Sequence, residues 1–411
     1  MFRHRMTLVG RFGVVAMVAA IGAAVLTPSA SGVRSVRGFD GTTLTTAGMG
    51  VASSFGDADV GTQARYKRAN DTNEVKGVKF KYTEFADDKQ DPATATSEAR
   101  RLVTQEQVFA IVPDLSAVNP GPFFNQQHVP YIGWAFDNTY CSQKPVTNLY
   151  GIGYNGCLVP ASPPVMPDSY AGFYKYVTDK NPAKTKPSIV LFSNDNQSGQ
   201  NSTKFAATSA TGAGFNVVYA KGTVPLTTSD YTPYVQAWLT ADGGKQPDAI
   251  NCLLAAQCIP IVSAIKAAGY TGTIITPLYT DILLKPLAGT IAYAAYNAAP
   301  NAGLTQLEKD LDAVKPGTKV TTSNAAAYFA ADKFIAAVKK VGKAKLTPEA
   351  VQAALAKQTW EIKGFVGPNK YPASTVVSAP ACTTVLEDTD GSAWKVVVPY
   401  ACSSKTFKVK G

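Results

Sequence analysis

The chain has 411 residues, 45% of them hydrophobic and 17% charged, and its 39 basic against 29 acidic residues leave a net charge of +10. That length and composition exclude a disordered chain and a single small domain, and suffice for two domains with separate cores. The basic surplus is diffuse, with no Lys/Arg run longer than two residues, which argues against a nucleic-acid groove.

Residues 1–32 set Arg3, Arg5 and Arg11 ahead of an apolar run from Phe12 to Leu26 and then the small residues Ser29, Ala30, Ser31 and Gly32. This pattern reads as a secretory signal peptide cleaved near Ala30–Gly32, since the run, roughly 15 residues, falls short of the ~20 that span a bilayer. Without the leader's three arginines the charge is about +7, and His128 is the single histidine of the processed chain.

Leu44–Ser53 predicts a strand that breaks at Phe55-Gly56-Asp57, with a helical pattern over Asp57–Asp71. Val78–Phe85 alternates as a strand. Asp87-Asp88 reads as a solvated loop, and Asp91-Pro92 opens a helix through Glu106 with Asp91 as N-cap and Pro92 in the first position. The apolar runs Phe109–Pro113 and Tyr131–Ala135 then flank a short helix-compatible segment, and His128 beside its end reads as a surface residue. This is the grammar of an open parallel sheet, whose loops beyond the strand C-termini collect at one edge. Phe55, Ser116, Asn119, Trp134, Phe136 and Asp137 fall at that edge, offering hydrogen bonds and aromatic faces but no nucleophile–base pair.

From Asn138 to Met166 the pattern lapses into a Gly-, Pro- and Ser-rich stretch that reads as a linker. Its Gly-Ile-Gly-Tyr-Asn-Gly at 151–156 matches a dinucleotide fingerprint in spelling, but it neither ends a clear apolar strand nor opens a helix. A second α/β series follows: helix Asp168–Lys180, strand Ser188–Ser193, polar loop Asn194–Gly199, strand Phe215–Ala220, helix Tyr231–Ala241, strand Asp248–Leu254, helix Ile259–Gly269, strand Thr273–Thr276 and strand Ile291–Ala298. After Asn301 the pattern turns helical, over Ser323–Val341 with Gly342 as the stop and again from a Thr347-Pro348-Glu349 cap to about Lys357. The tail is strand-like over Val376–Leu386 and Trp394–Pro399.

Six cysteines fall into three close couples, Cys141 with Cys157, Cys252 with Cys258 and Cys382 with Cys402. Spacing alone leaves 15 connectivities open; an exported chain with an even count favours disulfides, and we expect these neighbours to pair. The sequence contains no Gly-x-Ser-x-Gly, His-Glu-x-x-His or Cys-x-x-Cys, so no catalytic residue, metal or cofactor is expected.

In order and spacing, FGDADVGTQARYKRAN, DDKQDPATATSEARRLV, the IVP and HVPYIGWAF strand pair, SIVLFSNDNQSG, DYTPYVQAWL, IKAAGYTGTIITP and GFVGP resemble the type I periplasmic binding proteins. The likeness is to the leucine/isoleucine/valine-binding group serving ABC importers, over nearly all of residues 40–411. It implies an α/β fold of two lobes, each a doubly wound, mostly parallel sheet, joined by three crossovers and closing on a ligand. It divides the processed chain into lobe 1 (40–153 and 300–360) and lobe 2 (154–299, then 361–411 with a crossover).

Carried over residue by residue, the resemblance implies ligand contacts at Ser116–Asn119, with Ser116 as the carboxylate-binding serine, at Ala135–Asp137, at Phe55, at Asn196–Ser198 and at Leu278–Asp281, where Tyr279 and Asp281 are candidates for the ligand or for structure alike. The chain departs from the pattern at Trp134-Ala135-Phe136-Asp137, where amino-acid binders carry small hydroxyl residues, and at Leu278, near which they carry an acid. Alternation along an extended loop sets Trp134 and Phe136 on one side as an apolar wall; interlobe packing is the other reading of the pair, core packing that of Phe55, and helix capping that of Ser116 and Asn119. The expected function is a non-enzymatic, exported receptor taking a small organic ligand, more apolar than a simple amino acid, to a membrane permease. A sensing module docking on a signalling receptor, or a binder of branched-chain amino acids or amides, are the competing readings.

Overall fold

A computed structural model describes residues 36–118, 120–135, 138–140, 149–154, 165–167, 171–180, 184–254, 257–280, 283–370, 382–402 and 406–408. The leader at 1–32 lies outside the described residues.

The chain begins with β1 (Thr43–Gly50), α1 (Ala52–Phe55), α2 (Ala58–Asp71), β2 (Lys79–Asp87), α3 (Pro92–Arg100, prolonged by a π-helical turn to Gln105), β3 (Ala110–Leu115), α4 (Gly121–Gln126), β4 (Tyr131–Gly133) and β5 (Gly151–Gly153). These five strands form one sheet in the order β2-β1-β3-β4-β5, parallel throughout. β3 is buried along its whole length, as a central parallel strand covered on both faces must be. Asp91 caps α3 by accepting from the Thr94 N–H at 2.7 Å, as its place before Pro92 predicts.

Next come β6 (Val165–Pro167), α5 (Ala171–Asp179), β7 (Ser188–Asn194), α6 (Gln197–Gly212), β8 (Asn216–Val224), α7 (Thr232–Leu239), β9 (Ala249–Cys252), α8 (Cys258–Ala267), β10 (Thr273–Thr276) and β11 (Thr290–Ala294). After α9 (Ala302–Asp312), α10 (Thr322–Val341) and α11 (Pro348–Leu355), the chain ends in β12 (Thr359–Ile362), β13 (Val366–Lys370), β14 (Cys382–Asp388), β15 (Lys395–Cys402) and β16 (Thr406–Lys408). The second sheet runs β15-β14-β11-β10-β9-β7-β8; β14 pairs antiparallel with both β11 and β15, and the other pairs are parallel. The fold is thus the two-lobed, mostly parallel α/β arrangement of the type I periplasmic binding proteins, and the chain changes lobe after β5, after β11 and after β13.

The late helices return to the first lobe. α10 packs along α2 and onto β3, and Arg65 of α2, 3% exposed, reaches Glu74 at 2.8 Å and Asp332 of α10 at 2.6 Å. Arg68 adds a 3.0 Å pair to Asp310 of α9. Thr321 caps α10 in a capping box with Asn324, and Asp57 accepts from the Thr321 and Ser323 hydroxyls. The second lobe buries one face of its sheet around Phe192 and Trp238, stacked at 3.6 Å, and the other around Phe173, Tyr174 and Phe215.

Several expectations are corrected. The stretch read as a linker contains β5, an edge strand whose Gly-Ile-Gly offers one side chain and so no apolar signal; Gly151 is required because the Tyr131 ring fills the space a Cβ would take. The hairpin β12–β13 was also missing from the pattern, whereas the turn to helix after Asn301 is met by α9, capped by the Asn301 side chain at 2.9 Å from the Gly303 N–H. Asp88 is not solvated but fully buried.

Of the three expected cysteine pairs, two fall among the described residues and both are bonded. Cys252–Cys258 ties the end of β9 to the start of α8, and Cys382–Cys402 joins partners across β14 and β15. The third expected pair is not among them: Cys141 lies outside the described residues, and so does Cys157. Their pairing therefore stays an expectation of the sequence.

Candidate functional site

The strand order of each sheet reverses once, between β1 and β3 in the first lobe and between β7 and β9 in the second. Loops on either side of such a reversal diverge and leave a crevice beyond the strand C-termini. Here the two crevices face each other. Val51 and Phe55 follow β1, Leu115 ends β3 and Ser116 follows it, Trp134 follows β4 and Tyr154 follows β5; opposite them stand Asn194 at the end of β7 with Asn196 and Ser198 after it, Leu253 and Leu254 after β9, Pro277–Tyr279 after β10 and Tyr296 after β11. They line a cavity of about 200 Å³, to which α10 contributes Thr322, Ala326 and Phe329.

Aromatic rings dominate the walls. Phe55 meets Trp134 edge to face at 4.7 Å, and the Trp134 indole N–H donates to the Tyr154 hydroxyl at 3.1 Å. Tyr296 meets Phe329 edge to face at 5.4 Å and Tyr279 at 6.2 Å. None of the described residues lining the cavity carries a charge.

Several of the polar groups are engaged, while the buried Tyr279 hydroxyl has no hydrogen-bond partner among the described residues. Asn196 caps α6 through its Oδ1, 2.8 Å from the Gly199 N–H, while its Nδ2 donates across the cleft to the Ala117 carbonyl at 3.1 Å. A second bridge runs from the Asn138 N–H to Gln197 Oε1 at 3.2 Å, and Tyr279 meets Thr322 of α10 through its N–H at 3.4 Å. The lobes are therefore closed on one another. Ser116 donates its N–H to Asp114 Oδ1 at 3.1 Å, and its hydroxyl accepts from the Val118 N–H at 3.3 Å and lies beside the Asp88 carboxylate. Burial pushes the Asp88 carboxyl up from its ordinary value, against the pull of that hydroxyl and of the Gln90 amide.

Of the residues singled out in the sequence, Phe55, Ser116, Trp134, Asn196, Ser198 and Tyr279 come together on the cavity wall. Ala135 does not: it is 1% exposed, packed in the first lobe's core, and its φ of 58° breaks the extended alternation expected between Trp134 and Phe136. Asn119, Phe136, Asp137 and Asp281 lie outside the described residues. Residues the sequence reading missed include Gln90, Tyr154, Phe205, Tyr296 and Phe329. Tyr296 follows a strand exit and was open to the rule that found Tyr279; Phe329 sits in a helical apolar stripe indistinguishable from core.

A family model described as periplasmic binding protein matches residues 42–386. The chain belongs to that family. Among solved structures this binding protein is similar to a fatty acid ABC transporter substrate-binding protein from Thermomonospora curvata, with a TM-score of 0.70, 17% identity, and 91% of this chain and 96% of that one covered. It is similar to a solute-binding protein of an ABC transporter from R. palustris in complex with 4-hydroxybenzoate, at a TM-score of 0.66 and 18% identity over 88% and 98% of the two chains. It is also similar to a branched-chain amino acid ABC transporter protein from Thermus thermophilus with bound valine, at 0.67 and 16% over 88% and 97%. At such identities the likeness carries the fold and not the ligand. No curated protein matches the sequence significantly.

Proposed function

We propose that this binding protein is an exported receptor that captures a small organic ligand between its lobes and hands it to the permease of an ABC importer. The observation that carries the reading is the aromatic-walled cavity at two facing topological reversals, in a closed arrangement of lobes. Burying apolar ligand surface there yields about 25 cal/mol per Å², with few polar groups to orient the ligand. Closure then follows from tighter binding to the closed state than to the open one.

Export rests on the leader at 1–32; among the described residues no helix is long and apolar enough to cross a membrane. The structural relatives named as ABC transporter proteins favour a permease over a signalling receptor as the partner. The test is thermal unfolding of the purified protein against amino acids, amides, aromatic acids and sterol-derived acids, followed by uptake of the stabilising compound in cells with and without the protein. A ligand at 100 times its Kd adds about 2.7 kcal/mol to the stability of the closed form. A stabilising compound that cells take up equally well without the protein would remove the transport reading.

A further inference from the structure

We propose, resting on the reading of the cleft as one that closes on a ligand, that α10 is the post against which all three crossings between the lobes turn, and that Lys333, buried behind the cavity wall, is a positioning residue for closure.

One face of α10 meets both the cavity and the crossings. Thr322, Ala326 and Phe329 line the cavity, and Lys333 continues their series at i, i+4, i+7 and i+11, so all four lie along one stripe of the helix. The Phe329 ring lies 6.2 Å from that of Tyr154, the first residue after β5, and 5.4 Å from that of Tyr296, just beyond β11. It lies 5.4 Å from the ring of Phe365 in the turn that leads into β13. Each of these rings belongs to a segment that enters or leaves a crossing.

Lys333 fixes two of those segments together. Its ammonium donates to the Gly153 carbonyl at the end of β5 and to Asn369 Oδ1 near the end of β13. The remaining crossing is tied in by the Asn297 N–H, which donates to the Phe365 carbonyl at 2.8 Å. Lys333 is 0% exposed, is not among the residues lining the cavity, and so acts on the cleft only through what it holds. Asn369 is 1% exposed and its Nδ2 has no hydrogen-bond partner, so the bond from Lys333 is what directs that amide.

The link to the cleft is one residue long. Tyr154 follows Gly153, lines the cavity and accepts from the Trp134 indole N–H. Holding the Gly153 carbonyl therefore sets where the Tyr154 wall stands and where the chain begins to swing. A hinge turns about a few element-terminal residues, and anchors at both strand ends confine the rotation to the segments beyond them. Lysine suits the post because one flexible stem carries several donors to acceptors on two separate strands.

The experiment is small-angle scattering of the unliganded wild type, Lys333→Met, Asn369→Leu and Leu102→Ala, with urea unfolding of each in parallel. Methionine keeps the length of the stem without its donors, and leucine removes one of the two acceptors. Leu102, 0% exposed in the first lobe's core beyond α3, supplies a variant of lowered stability with the crossings intact. The expected result is a larger radius of gyration for Lys333→Met and Asn369→Leu, by roughly a few per cent of the ~21 Å of a compact chain of this size, and a wild-type radius for Leu102→Ala. A wild-type or smaller radius for Lys333→Met in a folded protein would overturn the proposal. An equal expansion in Leu102→Ala would also overturn it, since the radius would then follow the stability of the first lobe alone. Should Lys333→Met not fold, Asn369→Leu carries the test by itself, and a wild-type radius there would remove the bridge between the two crossings. Scattering reads closure with no ligand present, so its outcome is separate from whether a solute is bound and imported.

Discussion

Trp134 shows how one side chain serves cleft and fold together. Its ring lines the cavity, its edge-to-face contact with Phe55 lies at 4.7 Å, and its N–H donates to the hydroxyl of Tyr154, which follows β5. Trp134→Ala removes a face that a ligand would bury, so affinity is expected to drop by one to two decades, about 1.5–3 kcal/mol. Loss of the Phe55 contact, ~0.5–1.5 kcal/mol for an aromatic pair, also lowers the melting temperature of the unliganded protein. Titration and melting on one preparation separate the two effects; unchanged affinity with a lowered melting point would assign Trp134 to packing alone. The tryptophan was legible in the sequence because it follows a short apolar run. The left-handed turn at Ala135 that fixes its direction was not, since alanine carries no signal for a positive φ.

At the scale of elements, α10 joins the lobe to its crossings. Lys333, wholly buried, donates to the Gly153 carbonyl of β5 at 2.7 Å and to Asn369 Oδ1 of β13 at 2.8 Å, and its ammonium lies 5.8 Å from the centre of the Trp360 ring. Burial depresses its pKa from 10.5 to about 7. The unfolded chain therefore binds more protons between about pH 7 and 10.5, and stability must rise with pH across that window and fall as pH drops toward 7. Unfolding by urea from pH 7 to 9.5 should show the rise in wild type and its absence in Lys333→Met; the upper limit, about half a unit below the ordinary tyrosine pKa, keeps the unfolded chain's phenols mostly neutral. Arg65 is a second buried cation on the α2–α10 seam, here with two carboxylate partners. Arg65→Met takes the buried cation from Glu74 and from Asp332, which keeps Arg68 at 3.8 Å and the Trp360 indole N–H at 2.8 Å, and is expected to cost about 1–3 kcal/mol, measured by the same urea unfolding; a loss under about 0.5 kcal/mol would show that the pairs only break even with water.

For the molecule as a whole, closure is set by few polar contacts. Asn196 Nδ2 to the Ala117 carbonyl and the Asn138 N–H to Gln197 Oε1 span the cleft, beside apolar contacts that merge Phe205 and Tyr279 of the second lobe with the first lobe's core. Asn196→Asp keeps a cap for α6 but removes the donor to Ala117. One net hydrogen bond is worth about 1 kcal/mol, so the closed-to-open ratio is expected to fall roughly fivefold and the ligand affinity by up to that factor. Small-angle scattering of the unliganded variant would show a larger radius of gyration than wild type; identical scattering would mean that the apolar contacts set closure unaided.

Local chemistry by itself determined much of this protein. Alternating and continuous apolar runs specified the strands, Asp91-Pro92 and Thr347-Pro348 the helix starts, Gly342 a helix end, and the loops after β1, β3 and β4 as one sheet edge, because each depends on residues within a turn or two of one another. Tertiary structure decided what depends on distant partners. It recruited the featureless Gly151–Gly153 as a strand because Tyr131 occupies the space beside it, and it brought Phe329 from a helix stripe to the cavity wall. It also buried Asp88, which the sequence placed in a solvated loop, a consequence of packing that no local pattern encodes.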